Sequence, residues 1–232
     1  MALPPGRPVT SAALRAMGIS GDLAVHYVRA GWLRRLARGV YSRPDGELDL
    51  HASLALLEGS IDGLHVGGKT ALDWHGLRHF LRPQPVLDLY GHQSAHLPDW
   101  FTAAFPARYR RRQLFDEPAT ALLCVERFGR ATYRPLVSEP ERAWLELLSD
   151  VGVRQPLSEA QELASETHLL RARVLQRLLE ACLSVKTVRL CLQLGERTNA
   201  PWMTKLDRAS IPTGSASPWV ARTREGLLIL PP

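Results

Sequence analysis

Four arginines, Arg34, Arg35, Arg38 and Arg43, fall within ten residues in the stretch WLRRLARGVYSR. Guanidinium groups so dense on a short segment suit the pairing of phosphate oxygens on either side of a nucleic-acid groove. A tip arginine such as Arg38 also has the length and charge to enter a minor groove. Just upstream, Ser20–Arg29 carries side chains that meet base edges in other proteins. Val25 fits a thymine methyl, and His26 and Arg29 fit base edges or phosphates. Asp22 shares their side, and Ser20 stands at the leading end. The candidate DNA contacts are therefore Ser20, Asp22, Val25, His26, Arg29, Arg34, Arg35, Arg38 and Arg43. The plain alternative is a solvated basic hairpin.

The charge is concentrated in the same region. The 232 residues carry a net +6, and residues 1–46 alone hold +5 of it, with seven arginines against Asp22 and Asp45. A basic first fifth on a near-neutral remainder has the form of an electrostatic docking module on a larger body. Arginine outnumbers lysine 26 to 3 along the whole chain, so arginine alone does not mark a contact.

Other chemistries are weaker on inspection. Gly63–Thr70 reads GLHVGGKT, a literal match to the phosphate-binding loop of nucleotide hydrolases. That mechanism requires a buried strand entering the loop, and Glu58–Gly63 is not one; a helix is expected from Thr70. His75 and His79, and His92 and His96, are spaced by four but lack neighbouring ligands, so no metal or other cofactor is expected. Cys124, Cys182 and Cys191 contain no CxxC and read as buried reduced thiols. Ser, His and Asp show no nucleophile-elbow pattern, so no catalytic residue is assigned. Arg108, Arg110, Arg111 and Arg112 form a second basic cluster, either an auxiliary nucleic-acid surface or a solvated edge that discourages strand pairing. Arg189 and Arg197 are candidate surface contacts on a late helix.

The elements that position the first cluster can be read locally. Pro4, Pro5, Gly6 and Pro8 make a non-helical arm. Thr10 or Ser11 caps a short helix with Leu14 and Met17 inward, and Gly18 ends it. Ser20 caps a second helix to about Ala30. Leu23, Ala24, Tyr27 and Val28 share one side of it, and Asp22, Val25, His26 and Arg29 the other. Gly31–Leu36 and Gly39–Arg43 follow as strands around a turn at Ala37–Gly39, with Trp32, Leu33, Leu36, Val40 and Tyr41 on the packing side. Pro44–Gly46 closes the module, and a helix spans Leu48–Glu58.

Beyond it come a strand at Val86–Tyr90 and short strand or strand–helix pieces at Tyr109–Phe115 and Thr120–Phe128. Helices are expected at Glu141–Asp150, Ser158–Glu180 with an interruption, and Ser184–Arg197, then a last strand at Leu227–Leu230. The expected fold is α+β: a winged helix-turn-helix domain at 1–60, then a mixed α/β, helix-rich domain at 61–232. No apolar run approaches the roughly 18–20 residues of a membrane span. Met1–Val9 has no signal-peptide core. The cytoplasm is the expected compartment.

AGWLRRLARGVYSRP resembles the N-terminal winged helix of the AbiEi antitoxins of bacterial AbiE (type IV) toxin–antitoxin systems. GLHVGGKTALDWHGLRHFL, SEPERAWLELL, SVKTVRLCLQLGERTNAPWMTKLD and IPTGSASPWVARTREGLLILP continue the resemblance in order over nearly the whole chain. The resemblance implies a non-enzymatic antitoxin that binds inverted repeats in its promoter, as a monomer or as a dimer on DNA, and represses its own operon. It also implies that the chain counteracts a nucleotidyltransferase-like toxin, with a direct complex left open. Gly214–Ser217 departs from it, lying where a more basic stretch is expected. The alternative is a winged-helix protein with an endonuclease-like or ligand-sensing C-terminal domain. A nuclease needs a metal-binding acidic pair and a lysine, whereas Lys186 and Lys205 stand in no such arrangement.

Overall fold

The computed structural model describes residues 3–77, 86–116, 125–129, 132–223 and 225–232. The fold is α+β, as the sequence pattern predicts. Strand β1 (Val9–Thr10) leads directly into helix α1 (Ser11–Ala16), because Thr10 ends the strand and caps the helix by accepting from Ala13 N at 3.1 Å. Helix α2 (Gly21–Arg29) has Ser20 as its cap, accepting from Leu23 N at 3.2 Å. Strands β2 (Arg34–Ala37) and β3 (Val40–Ser42) form the wing. β1 adds to β3 as a third strand, in the order β1-β3-β2. The proline-rich arm thus runs into sheet structure, a pairing that two residues carry too little pattern to announce.

Leu3, Val9, Leu14, Ile19, Ala24, Leu33 and Tyr41 form a small core of this module. Met17, expected inward, is 49% exposed because it falls at the C-cap, where the helical period stops applying.

Helix α3 (Leu50–Glu58), capped by Asp49, places Leu54 and Leu57 in a second and much larger core. That core surrounds a five-stranded mixed sheet in the order β6-β5-β4-β8-β7, made of β4 (His65–Val66), β5 (Leu87–Gly91), β6 (Ala107–Arg111), β7 (Val125–Arg127) and β8 (Leu136–Ser138). Helix α4 (Gly68–Trp74) leaves β4. Helix α5 (Asp99–Ala104) connects β5 to the parallel β6.

Helix α6 (Pro140–Ser149) is buried along its length, with Trp144 fully enclosed. Helix α7 (Leu157–Ala164), a 3₁₀ turn at Ser165–Leu169 and helix α8 (Ala172–Glu180) resolve the expected interrupted helix. Helix α9 (Val185–Arg197), capped by Ser184, and the hairpin β9 (Trp219–Thr223) and β10 (Gly226–Leu230) complete the body. Only β10 of that hairpin was expected. No helix among the described residues is long and apolar enough to cross a membrane.

The wing joins the two regions. Leu36, Ala37 and Val40 pack against the larger core, and the Arg7 guanidinium lies 4.9 Å from the centre of the Tyr133 ring. The winged helix is therefore mounted on the body through its hairpin and its N-terminal arm.

Candidate nucleic-acid interface

Helix α2 presents the face that its periodicity predicts. Asp22, Val25, His26 and Arg29 are exposed, with Val25 at 45%, while Ala24 is buried and Leu23, Tyr27 and Val28 pack on the small core. Ser20 Oγ is engaged as a cap acceptor, so its part in any contact is to fix the helix N-terminus. Gly31, at φ +75°, terminates the helix. Its N–H donates to Val28 O at 3.2 Å and the Trp32 N–H to Tyr27 O at 2.9 Å, the paired bonds of a Schellman stop.

The same motif explains why Trp32 is 61% exposed where packing was expected. The ring rests on Tyr27, 5.3 Å between centroids, as the usual apolar contact of such a stop, and does not enter the core. Leu33 and Tyr41 are buried as expected, and Leu36 and Val40 are half-buried.

The hairpin arginines divide by partner. Arg38 is exposed at the tip. Arg34 and Arg35 are exposed and line a groove of about 570 Å³ shared with Leu36, Leu48, Trp100 and Phe105. Arg35 Nε also donates to Ala37 O at 3.4 Å. Arg43 is committed internally. Its Nε donates to Asp45 Oδ1 at 2.8 Å, a second nitrogen pairs with Asp45 Oδ2, and Nη1 donates to Leu3 O at 3.3 Å. The hydrogen bond from Arg43 holds the Asp45 carboxyl below its usual range. Arg43 thus ties the base of the wing to the N-terminal arm. Among the described residues, no ion pair reaches Arg15, Arg29, Arg34, Arg35 or Arg38.

The phosphate-loop match is filled from inside. The helix begins at Gly68, two residues earlier than expected, and the Gly68 N–H donates at 3.0 Å to Glu146 Oε2. A Cβ at Gly67 would collide with that carboxylate, which explains the glycine there. Glu146 also accepts from Ser138 Oγ at 2.9 Å, Arg142 Nε at 2.8 Å and His65 Nε2 at 2.9 Å, while His65 Nδ1 lies 2.7 Å from Gly63 O. Burial works to raise this carboxyl, but the charge and hydrogen bonds of His65 and then Arg142 outweigh it and hold Glu146 at about 2. A buried anion occupies the place where a phosphate would sit, and Lys69 pairs with Glu159. The glycines and lysine here build structure.

Three further arginines, Arg110, Arg112 and Arg189, are engaged within the fold as well. Arg110 pairs with Asp88 at 3.1 Å and with Asp150, and donates to Tyr90 Oη at 2.7 Å; Arg112 reaches Asp150 at 3.0 Å. Arg110 is thus a buried tie between β6 and the end of α6, and Arg112, with 39% of its side chain exposed, is held to the same Asp150. Arg189, expected at the surface, is only 3% exposed. It donates to Thr213 O at 2.7 Å, Ser217 O at 2.8 Å, Leu230 O at 3.3 Å and Ser215 O. The departing stretch Gly214–Ser217 is thus held to helix α9 through its carbonyls. Arg197 is exposed.

Lys186 donates to Ser149 O at 2.6 Å and Val151 O at 2.9 Å, closing the end of α6. Burial, reinforced by Arg112, lowers it to about 8 against the pull of Asp150. Cys182 and Cys191 are buried and reduced, with burial pushing the Cys182 thiol up to about 11. Cys124 lies outside the described residues, as does His79 of the first histidine pair. His75 Nε2 contacts Ser138 O at 3.0 Å, and no group of three metal-ligating side chains occurs among the described residues.

Comparison with known proteins divides the chain between residues 83 and 84. Residues 1–83 match the family of AbiEi antitoxin N-terminal domains of transcriptional regulators. Residues 84–230 match the family described as transcriptional regulator, AbiEi antitoxin, type IV toxin–antitoxin system. No curated protein matches the chain. The crystal structure of the RV2827C protein from Mycobacterium tuberculosis aligns with a TM-score of 0.56 at 17% identity, covering 93% of this chain and 84% of that one. At that identity the likeness concerns the fold. With both halves matched in order, the chain belongs to the AbiEi antitoxin family of transcriptional regulators of type IV toxin–antitoxin systems.

Proposed function

We propose that this antitoxin binds inverted repeats in its own promoter, represses its operon and counteracts a nucleotidyltransferase-like toxin encoded beside it, without catalysis of its own. Residues 1–60 are the operator-reading end, with the apolar face of α3 lent to the larger core, and residues 61–232 the antitoxin domain. The observation that carries this reading is the division of arginines. Five of the seven in the basic module stand exposed and free of ion pairs among the described residues, Arg15 on α1, Arg29 on α2 and Arg34, Arg35 and Arg38 on the wing, while Arg7 and Arg43 anchor the module.

Asp22, Val25, His26 and Arg29 meet the major groove, with Ser20 setting the helix end. Arg34, Arg35 and Arg38 meet phosphates, and Arg43 holds the wing in place. Two operator repeats are read by two copies, each a monomer or paired on the DNA. The test is binding to the chain's own upstream region against random duplex across a salt series. Preference for the upstream region supports the reading, and equal affinity overturns specific repression. Magnesium-dependent cleavage of plasmid DNA, lost when acidic residues are replaced, would instead support the nuclease reading.

A further inference from the structure

The second basic cluster splits into two populations. Arg110 and Arg112 turn inward to Asp88 and Asp150, whereas Arg108 and Arg111 are exposed and reached by no ion pair among the described residues. Both lie on β6, an outermost strand of the five-stranded sheet, whose far side has no further strand among the described residues. Alternation along the strand sends these two side chains to opposite faces, so together they flank the β6 edge of the sheet, the other edge being β7.

That edge adjoins the wing. Trp100, Ala103, Ala104 and Phe105 of the α5 segment form the groove wall opposite Arg34 and Arg35, and the chain enters β6 two residues later. Arg108 is therefore at most about 11 Å of extended chain from Phe105. Unpaired arginines on the wing, an open groove, and unpaired arginines on the adjoining sheet edge follow one another along the surface.

We propose that duplex DNA is gripped beyond the winged helix, its phosphate backbone running from the wing across the α5 groove to Arg108 and Arg111 of the body. This inference rests on the DNA-binding reading above and extends its footprint. Such contacts add affinity without sequence preference and are seen in the salt dependence of binding, each lost phosphate contact lowering the slope of log affinity against log salt by about 0.9.

The full-length double variant R108A/R111A, checked for native circular dichroism, is titrated with operator duplex from low to physiological salt. The expected result is a slope shallower by about 1.8 and a loss of affinity equal for operator and random duplex. R108K/R111K, which keeps the charges, retains the slope. Duplexes cut back on the body-facing side of the operator narrow the gap between wild type and R108A/R111A. An unchanged slope in R108A/R111A overturns the proposal, including the case where the variant self-associates because the arginines serve only to protect the strand edge. If wild type itself shows no operator preference, the DNA reading fails first. If wild type and the wing variants behave as expected while R108A/R111A does not, only the extended footprint fails.

Discussion

The basic module and the interior of the body use arginine in opposite ways. In the module, Arg15, Arg29, Arg34, Arg35 and Arg38 stand in solvent on elements whose small core lies behind them. In the body, Arg110, Arg142 and Arg189 are drawn in and held by acceptors of the fold, although the buried Arg110 Nε has no hydrogen-bond partner among the described residues. The first two meet Asp88, Asp150 and Glu146, and Arg189 meets a set of carbonyls. An exposed guanidinium keeps its donors available for an incoming phosphate, whereas a buried one has already exchanged water for protein acceptors. Net charge alone does not separate the two uses, since the residue type is the same throughout. The partner within the fold decides which arginine is available for binding.

This contrast can be broken most severely at Glu146. Glu146→Ala leaves Arg142 and His65 buried without their anion and frees the Gly68 amide. Loss of a buried partner of this kind costs about 3–5 kcal/mol, read as a large drop in the denaturation midpoint. The carboxyl is held below its ordinary 4.5, at about 2. Its contribution to stability is therefore complete above pH 4.5 and is lost as pH falls toward 2. Glu146→Gln should flatten that acid limb of the stability profile; a limb unchanged from wild type would contradict the role given to this carboxylate.

Arg189→Ala comes next, at about 3 kcal/mol, because several carbonyls lose charge-assisted donors at once. Arg189→Lys should rescue little of this, since a single ammonium cannot span the same acceptors. Operator affinity of the folded variant should stay within twofold of wild type. A large loss of DNA binding would blur the line between body and module.

The smallest effect is expected at Ser20→Ala. Removing the α2 cap costs about 1 kcal/mol, read by denaturant titration, with Ser20→Asn near neutral. A change below a few tenths of a kcal/mol would show that the small core, not the cap, sets the start of α2.

What was legible in the sequence follows the range of the interactions. Thr10, Ser20 and Gly31 act within a few residues of themselves, so both helices of the module and their boundaries were readable from order alone. The exposed side of α2 followed from the same local periodicity. Trp32 was misread because its exposure depends on the turn geometry after Gly31, which hydrophobicity does not encode. The fate of Arg110, Arg112 and Arg189 was hidden for a different reason. Their partners lie tens of residues away, brought to Arg110 and Arg112 by the assembled sheet and the end of helix α6, and to Arg189 by the segment before β9 and the end of β10. The phosphate-loop match shows the same limit, since its vacancy is filled by Glu146, 78 residues from Gly68.

The central claim, that the exposed arginines of the wing are the ones that meet DNA, is tested most directly by the salt slope of operator binding in full-length Arg34→Ala/Arg35→Ala/Arg38→Ala beside wild type. At about 0.9 per phosphate contact, the account predicts a slope shallower by up to about 2.7 with the fold intact. An unchanged slope in a folded triple variant would contradict it.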